Sequence, residues 1–259
     1  MYKRQATNYI ESHILDRKFC IGVSLDIQAA FDSIKPHKVK EALLEHGGDK
    51  EMVNWYYNYL IHRNIYTEIS GTKICFSTST GFPQGGVNSA DFWSIVFDPA
   101  LKIINKDPVR GDGFADDLLV LKGGYSLTAA MSAIQKTINE LATWGKEYGL
   151  KFNADKTVVV IFHRRKIPEY RMPQQLTVGG KQVPFSSNMR YLGVMLDEKL
   201  KWTTHLDHIV GLCKSTLMYT SNIIKKKWGP KPSLAKWLFH GNNQAKTNLQ
   251  KPRVGTYTG

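Results

Sequence analysis

Three cysteines in 259 residues are too few, and too widely spaced, to staple a fold. Cys20, Cys75 and Cys213 form no C-x-x-C pair, which excludes a disulfide framework and a cysteine-based zinc site and makes a reducing compartment the default. No stretch of 18 uncharged apolar residues occurs, so no membrane-spanning helix is predicted. The opening segment MYKRQATNYIESHILDRK is charged throughout and lacks the apolar core of a signal peptide. An intracellular protein is expected, with nucleus and cytoplasm both open. Internal repeats are missing too, which excludes solenoids and propellers. Acidic residues are scarce: 22 Asp+Glu face 35 Lys+Arg, a formal charge of +13 that favours a polyanionic partner over an acidic or neutral one. The excess is densest beyond Asp197, with KKKW at 225–228 as its peak.

What remains is an ordinary globular composition, 42% hydrophobic and able to bury a core. Residues 6–18 pattern as a short amphipathic helix, and CIGVSLD as a strand ending at Asp26. In that strand Ile21, Val23 and Leu25 share one face, while Gly22, Ser24 and Asp26 share a smaller, more open one. Pro36 suits the first turn of a helix reaching Gly47–Gly48, and Asp49 suits the cap of the next. A hairpin turning at Gly71, a loop TGFPQGGVNS and a helix over 89–105 follow. VRGDGFADDLLVL reads as a second hairpin with its acids at the tip. Ser126 and Gly149 bracket a long helix whose Leu127, Met131, Ile134, Ile138 and Leu141 form one stripe. KTVVVIF is apolar on both faces and so predicts a central strand. A hairpin around Gly179–Gly180 and a strand RYLGVML complete the order, before a helical, basic region from 197. Strands and helices in this order predict an α+β protein, an antiparallel sheet backed by helices on one face.

The chemistry concentrates in GFADDLLVL at 113–121, where Asp116 and Asp117 stand against a run of apolar residues. Adjacent acids alone are usually just solvated. Asp26, at the end of its own strand with Phe31 and Asp32 close behind, changes the reading. If the two segments pair, three carboxylates converge on one sheet edge, and a metal ion is what offsets their repulsion. Few hard oxygen donors, with water completing the shell, is a pattern for Mg²⁺ rather than for caged Ca²⁺. Two such ions clamp the attacking and leaving oxygens of a phosphoryl displacement. Because strand residues alternate faces, Asp116 and Asp117 can share a site only in the turn of the hairpin, with Asp116 the firmer ligand.

GVSLDIQAAFDSI, GFPQGGVNSADF, GFADDLLVL, WGKEYGLKFNADKT and RYLGVMLDEKLKW, in this order, resemble successive motifs of the reverse transcriptases of non-LTR (LINE-type) retrotransposons. The resemblance covers residues 5 to 235. It implies a right-hand polymerase palm with partial fingers over 1–196, a truncated basic helical thumb over 197–237 and a disordered tail over 238–259. It implies an RNA template, a DNA primer, dNTPs and two Mg²⁺ ions as partners, with no membrane. Asp26, the main-chain carbonyl of Ile27 and Asp116 would hold the metals, with Asp117 assisting. Phe31 would close off the sugar 2′ side, Gln84 and Gly85 would back the incoming nucleotide, and Lys156 would protonate the pyrophosphate leaving group. Tyr191, Leu192 and Gly193 would grip the primer end.

This chain departs from the family pattern at three places. Gly86 and Ala90 stand where a serine and a proline are usual, and Phe114 stands where tyrosine is commoner. Only 25 residues precede Asp26, the first aspartate of the motifs, which reads as a fragment or decayed copy. Two other readings compete: a polymerase of another kind, against which Phe31 argues, and a catalytically inactive nucleic-acid-binding remnant.

Overall fold

The computed structural model describes residues 2–223 together with positions 231, 233 and 236. The chain opens with α1 (Tyr2–Leu15), β1 (Phe19–Gln28), the single turn α2 (Ala30–Ser33), α3 (Pro36–Glu45) and α4 (Lys50–Ile61). A hairpin of β2 (Arg63–Ile69) and β3 (Thr72–Thr78) leads to α5 (Ser89–Ile104), β4 (Arg110–Phe114) and β5 (Asp117–Gly124). Then come α6 (Leu127–Tyr148), β6 (Lys151–Phe152), β7 (Val158–Phe162), β8 (Leu176–Val178), β9 (Lys181–Val183) and β10 (Phe185–Ser186). A last hairpin, β11 (Asn188–Tyr191) and β12 (Val194–Asp197), precedes α7 (Thr203–Ile223). The basic run at 225–228, the rest of the region expected as a thumb and the tail expected to be disordered lie outside the described residues, apart from three isolated positions.

The helix boundaries follow from local chemistry. Pro36 occupies the first turn of α3. The Asp49 carboxylate accepts from the amides of Glu51 and Met52 at 3.1 and 2.9 Å, satisfying two orphan donors of α4. Ser126 accepts from Ala129 N–H at 3.2 Å, and Gly149, at φ 85, ends α6 in the left-handed conformation that a side chain would resist.

β1 is the spine of the molecule. The main sheet runs β10-β7-β1-β5-β4, with β6 also pairing β1. β1 is antiparallel to β5 and β7, and only the short β10 joins in parallel. Alternation then sorts its side chains. Ile21, Val23, Leu25 and Ile27 enter the larger core, under α3, α4, α5 and α6. The other face carries a second core in which Ala6, Ile10 and Ile14 of α1 meet Cys20, Leu121 and Phe162. Val159 and Ile161 of β7 belong to the first core and Val160 and Phe162 to the second, so β7 is buried on both faces, as its composition predicts.

Three expectations are corrected. The sheet is covered on both faces rather than one, because α1 and the β11–β12 hairpin have apolar faces of their own to bury. The face of Gly22 is therefore closed at the start of β1 and opens only towards Asp26, and β1 runs two residues past Asp26 to Gln28, held there by β6. RYLGVML is not one strand. Leu192 at φ 47 and Gly193 at φ 80 turn it into a tight two-residue hairpin, the geometry that positive φ at both central positions produces.

Gly22 shows how closely the second core is packed. A Cβ there would lie 2.8 Å from Phe162 Cε2, 3.2 Å from Leu121 Cδ2 and 3.3 Å from Met189 Cε. Gly22→Val is expected to lower stability by about 1–3 kcal/mol through overpacking, seen as a lower urea midpoint at unchanged m-value. An unchanged midpoint would mean that this face is not packed.

Candidate active site

The acidic hairpin is built first by its register. Phe114 pairs Asp117, which leaves Ala115 and Asp116 as a two-residue turn, with Ala115 at φ 54. A positive φ at the first central position only is the arrangement of a type II′ turn, which glycine normally occupies. Alanine there is strained, and it is held from outside: the indole N–H of Trp93 in α5 donates to the Ala115 carbonyl at 3.0 Å. Gly113 lets the hairpin approach α5, since a Cβ there would fall 2.5 Å from Leu101 Cδ2.

The β1–β5 ladder then places Asp117 directly opposite Asp26. Opposed residues of an antiparallel pair point to the same face with Cα atoms about 4.5–5.5 Å apart. Asp116 is the next residue, in the turn. Thus Asp116 lies where the sequence required it, while Asp117 is already the first strand residue and shares the face of Asp26. Asp117 keeps much of its surface in solvent. Even so, partial burial of its carboxyl raises its pKa, the negative charges of Asp116 and Asp26 raise it further, and Arg190 of β11 opposes them.

Asp26 Oδ2 is shielded from solvent and accepts no hydrogen bond. Its nearest cation is Lys156 Nζ, at 3.5 Å. The loop that brings Lys156 there is anchored on Asp26 itself, because Asn153 N–H donates to the Asp26 carbonyl at 2.9 Å. Asn153 then accepts from the Thr157 hydroxyl at 2.7 Å through its carbonyl and from Asp155 N–H at 3.0 Å through its side chain. Neither Asn153 nor Trp93 stood out in the sequence, since the importance of each lies in the backbone carbonyl it holds.

No three His, Cys, Asp or Glu side chains among the described residues enclose a point as a ready-made metal cage. A carboxylate oxygen on Asp26 that accepts no hydrogen bond and has only the Lys156 ammonium near it, beside two further acids at an open sheet end, still fits a hard divalent ion that keeps most of its water. Ile27 is buried with its side chain in the first core, and its backbone pairs Phe152 of β6 beside Asp26.

The remaining candidates sit round this centre. Phe31 stacks on Trp93 with ring centroids 5.0 Å apart and meets Phe82 edge-on at 6.3 Å, so one tryptophan positions both the aromatic residue and the acidic turn. Gln84 donates to both carboxylate oxygens of Asp32, at 3.1 and 3.2 Å. Gly81 touches the Phe31–Asp32 backbone so closely that a Cβ would lie 2.6 Å from the Asp32 carbonyl oxygen. Gly85, at φ 79, has open space around it. Beside Gln84 a hollow of about 1000 Å³ opens, lined by Asp32, Tyr59, Arg63, Tyr66 and Phe82. Tyr191 is buried in the second core, while the turn Leu192–Gly193 is half-buried and Arg190 beside it is exposed.

Residues 3–196 match the family described as reverse transcriptase (RNA-dependent DNA polymerase), and the chain belongs to that family. It is 24% identical over 226 residues to the 115 kDa protein of the type-1 retrotransposable element R1DM of Drosophila melanogaster, covering 86% of this chain and 21% of that protein. It is 24% identical to the RNA-directed DNA polymerase from the mobile element jockey of the same species, covering 96% of this chain and 29% of that one. The chain thus spans between a fifth and a third of these relatives, and their kind agrees with the LINE-type resemblance of the five motifs. Among solved structures, telomerase from Candida tropicalis in complex with a fragment of telomeric RNA shares the fold, with a TM-score of 0.57 at 10% identity over 95% of this chain and 41% of that one.

The raised pKa of Asp117 gives a signed prediction. A carboxyl that holds its proton more tightly when folded contributes stability at low pH that is lost as pH rises through its folded pKa. Asp117→Asn is therefore expected to raise the urea midpoint at pH 7, by an amount that vanishes as pH falls below about 3. A midpoint unchanged or lowered at pH 7 would contradict the crowding of acids at this end of the sheet.

Proposed function

We propose that this chain is the palm, with part of the fingers, of an RNA-directed DNA polymerase of a non-LTR retrotransposon, extending a DNA primer on an RNA template from dNTPs. The observation that carries the reading is the meeting of Asp26, Asp116 and Asp117 at the open end of β1 and β5, with Lys156 on Asp26. In this reading 1–196 is palm and partial fingers, 197–237 a truncated thumb and 238–259 a tail.

Asp26, the Ile27 carbonyl and Asp116 would hold two Mg²⁺ ions, with Asp117 assisting, and when bound these supply the positive charge that a pentavalent phosphoryl transition state needs. The residues themselves do the positioning. The primer 3′-hydroxyl loses its proton to solvent as its oxygen bonds to the α-phosphorus of the dNTP, the bond from that phosphorus to the bridging oxygen breaks, and pyrophosphate departs. Lys156 is held by the Asn153 loop where its ammonium can give a proton to that leaving group. Phe31, fixed against Trp93, occupies the sugar 2′ side, so that a ribose hydroxyl collides with the ring. Gln84, fixed by Asp32, and Gly85 back the nucleotide beside the hollow. The Leu192–Gly193 turn, with Tyr191 as its buried anchor, supports the primer end. Sequence information comes from base pairing, while the protein supplies alignment and charge.

With purified chain, an RNA template, a DNA primer, dNTPs and magnesium, the parent is expected to extend the primer, and Asp26→Asn and Asp116→Asn to lose about 100-fold or more of the rate at unchanged primer–template affinity. Equal binding with no extension by parent or variants would instead establish an inactive nucleic-acid-binding remnant. Phe31→Ala is expected to raise the ratio of rNTP to dNTP incorporation by roughly tenfold or more, as removal of a steric block does. A parent that prefers rNTPs would overturn the DNA-polymerase reading.

A further inference from the structure

The three central strands that carry the acids at one end carry something different at the other. β1 reaches Asp26 late and begins at Phe19; β5 begins at Asp117 and ends at Gly124; β7 follows Lys156 and ends at Phe162. At that far end a hollow of about 880 Å³ is ringed by Arg17, Lys18, Arg164, Arg165, Lys166 and Arg171. Over the seven residues from Phe19 to Asp26 it lies about 23 Å from the acids, at about 3.3 Å per strand residue.

These cations are not spent on the protein. Lys18 pairs Asp16, and Arg171 lies over the Tyr170 ring, but Arg17, Arg164, Arg165 and Lys166 form no ion pair among the described residues. All four are exposed. Arg17 is also placed at a structural cost. Lys18 N–H donates to the His13 carbonyl and Arg17 N–H to the Ile14 carbonyl, a Schellman end to α1 in which Arg17, at φ 59, fills the left-handed position that normally takes glycine. Tyr125, which follows β5 directly, lines the same hollow and is 75% exposed as a residue, with Lys18 Nζ over its ring at 5.4 Å from the centre. His163 fixes the basic loop at its root, donating from Nδ1 to the Arg165 carbonyl and facing Glu198 at 3.7 Å through Nε2.

Unpaired cations around a cavity, with an open aromatic face among them, form a site for the phosphates and one base of a single nucleic-acid strand. We propose that this hollow is a second nucleic-acid contact, which takes the single-stranded part of the bound template or primer as it leaves the palm. At the duplex rise of roughly 3.4 Å for each phosphate a separation of about 23 Å is about seven positions, and an extended single strand covers it in fewer. The sheet thereby sets the distance between the reacting end of a strand and its tether. The inference rests on the proposed polymerase for its ligand, but its test needs no turnover.

Labelled primer–template duplexes carrying a single-stranded extension of about 4 or about 15 nucleotides, in RNA and in DNA and at either end, would be titrated with the whole chain over a range of salt. The parent is expected to bind the longer extension about tenfold more tightly than the shorter. Arg164→Glu/Arg165→Glu/Lys166→Glu is expected to abolish that gain, leave the short-extension affinity within about twofold, and lessen the salt slope by about 2, at about 0.7 for each phosphate no longer neutralised. Tyr125→Ala is expected to reduce the gain at unchanged slope, and it keeps the inference testable should the triple variant misfold. Which end and which sugar give the gain identifies the strand. A parent with no length-dependent gain, or variants that keep it in full, would overturn the inference. Primer extension measured separately tells failure of this contact from failure of the polymerase reading.

Discussion

The pairing of β1 with β5 is the constraint on which the molecule depends. Residue by residue it sets Phe19 against Gly124 and Asp26 against Asp117, and every functional placement follows from that register. A slip of one position would turn Asp117 away from Asp26 and push apolar residues of the core into the second face. The register is secured from both sides, because Val23 and Leu25 belong to one core and Cys20 to the other. Repulsion among the acids at the open end is thus supported by apolar burial along the rest of the ladder.

Trp93 extends this control to the reacting end. Its ring stacks between Phe31 and Phe97, and its N–H fixes the carbonyl of the strained Ala115 turn. Through α5 it couples the aromatic residue proposed to sense the sugar with the acids proposed to hold metal. The glycine loop before α5 is tied into the same unit, since Gly81 N–H donates to the Ile34 carbonyl and Phe82 N–H to the Phe31 carbonyl. Arg63 clamps the same loop by donating to the carbonyls of Thr80 and Gly81 at 2.6 and 2.7 Å. The site is a set of rigid elements whose loops are pinned by backbone carbonyls, the condition for positioning groups to within fractions of an ångström.

Polarity is the other feature of the sheet. One end gathers carboxylates and one lysine, and the other gathers arginines and lysines around a hollow. Such a separation, in a chain with a formal charge of +13, suits the polyanionic partner proposed above: phosphates would be drawn to the basic end, and the acidic end would need added cations to approach them at all. No helix among the described residues is long and apolar enough to cross a membrane.

Much of this was written in the order of residues. Caps at Asp49, Ser126 and Gly149, the two-faced apolar strand β7 and the acidic hairpin each follow from a few neighbouring side chains, and the five motifs were enough to indicate the family. The second core was not legible, because whether Gly22 faces solvent or Phe162 depends on where α1 folds back. Nor was the break in RYLGVML, since Leu192 is an unusual residue for a left-handed turn and only the pairing of Arg190 with Met195 requires one there. Local chemistry determined which segments could be helix, strand or turn, and which oxygens and cations were available for a site. Only the tertiary structure decided that Asp117, rather than Asp116, stands across from Asp26, that Trp93 and Asn153 hold the site, and that the unpaired cations gather at the far end. Those outcomes depend on contacts between residues tens of positions apart, and no window of sequence contains both members of such a contact.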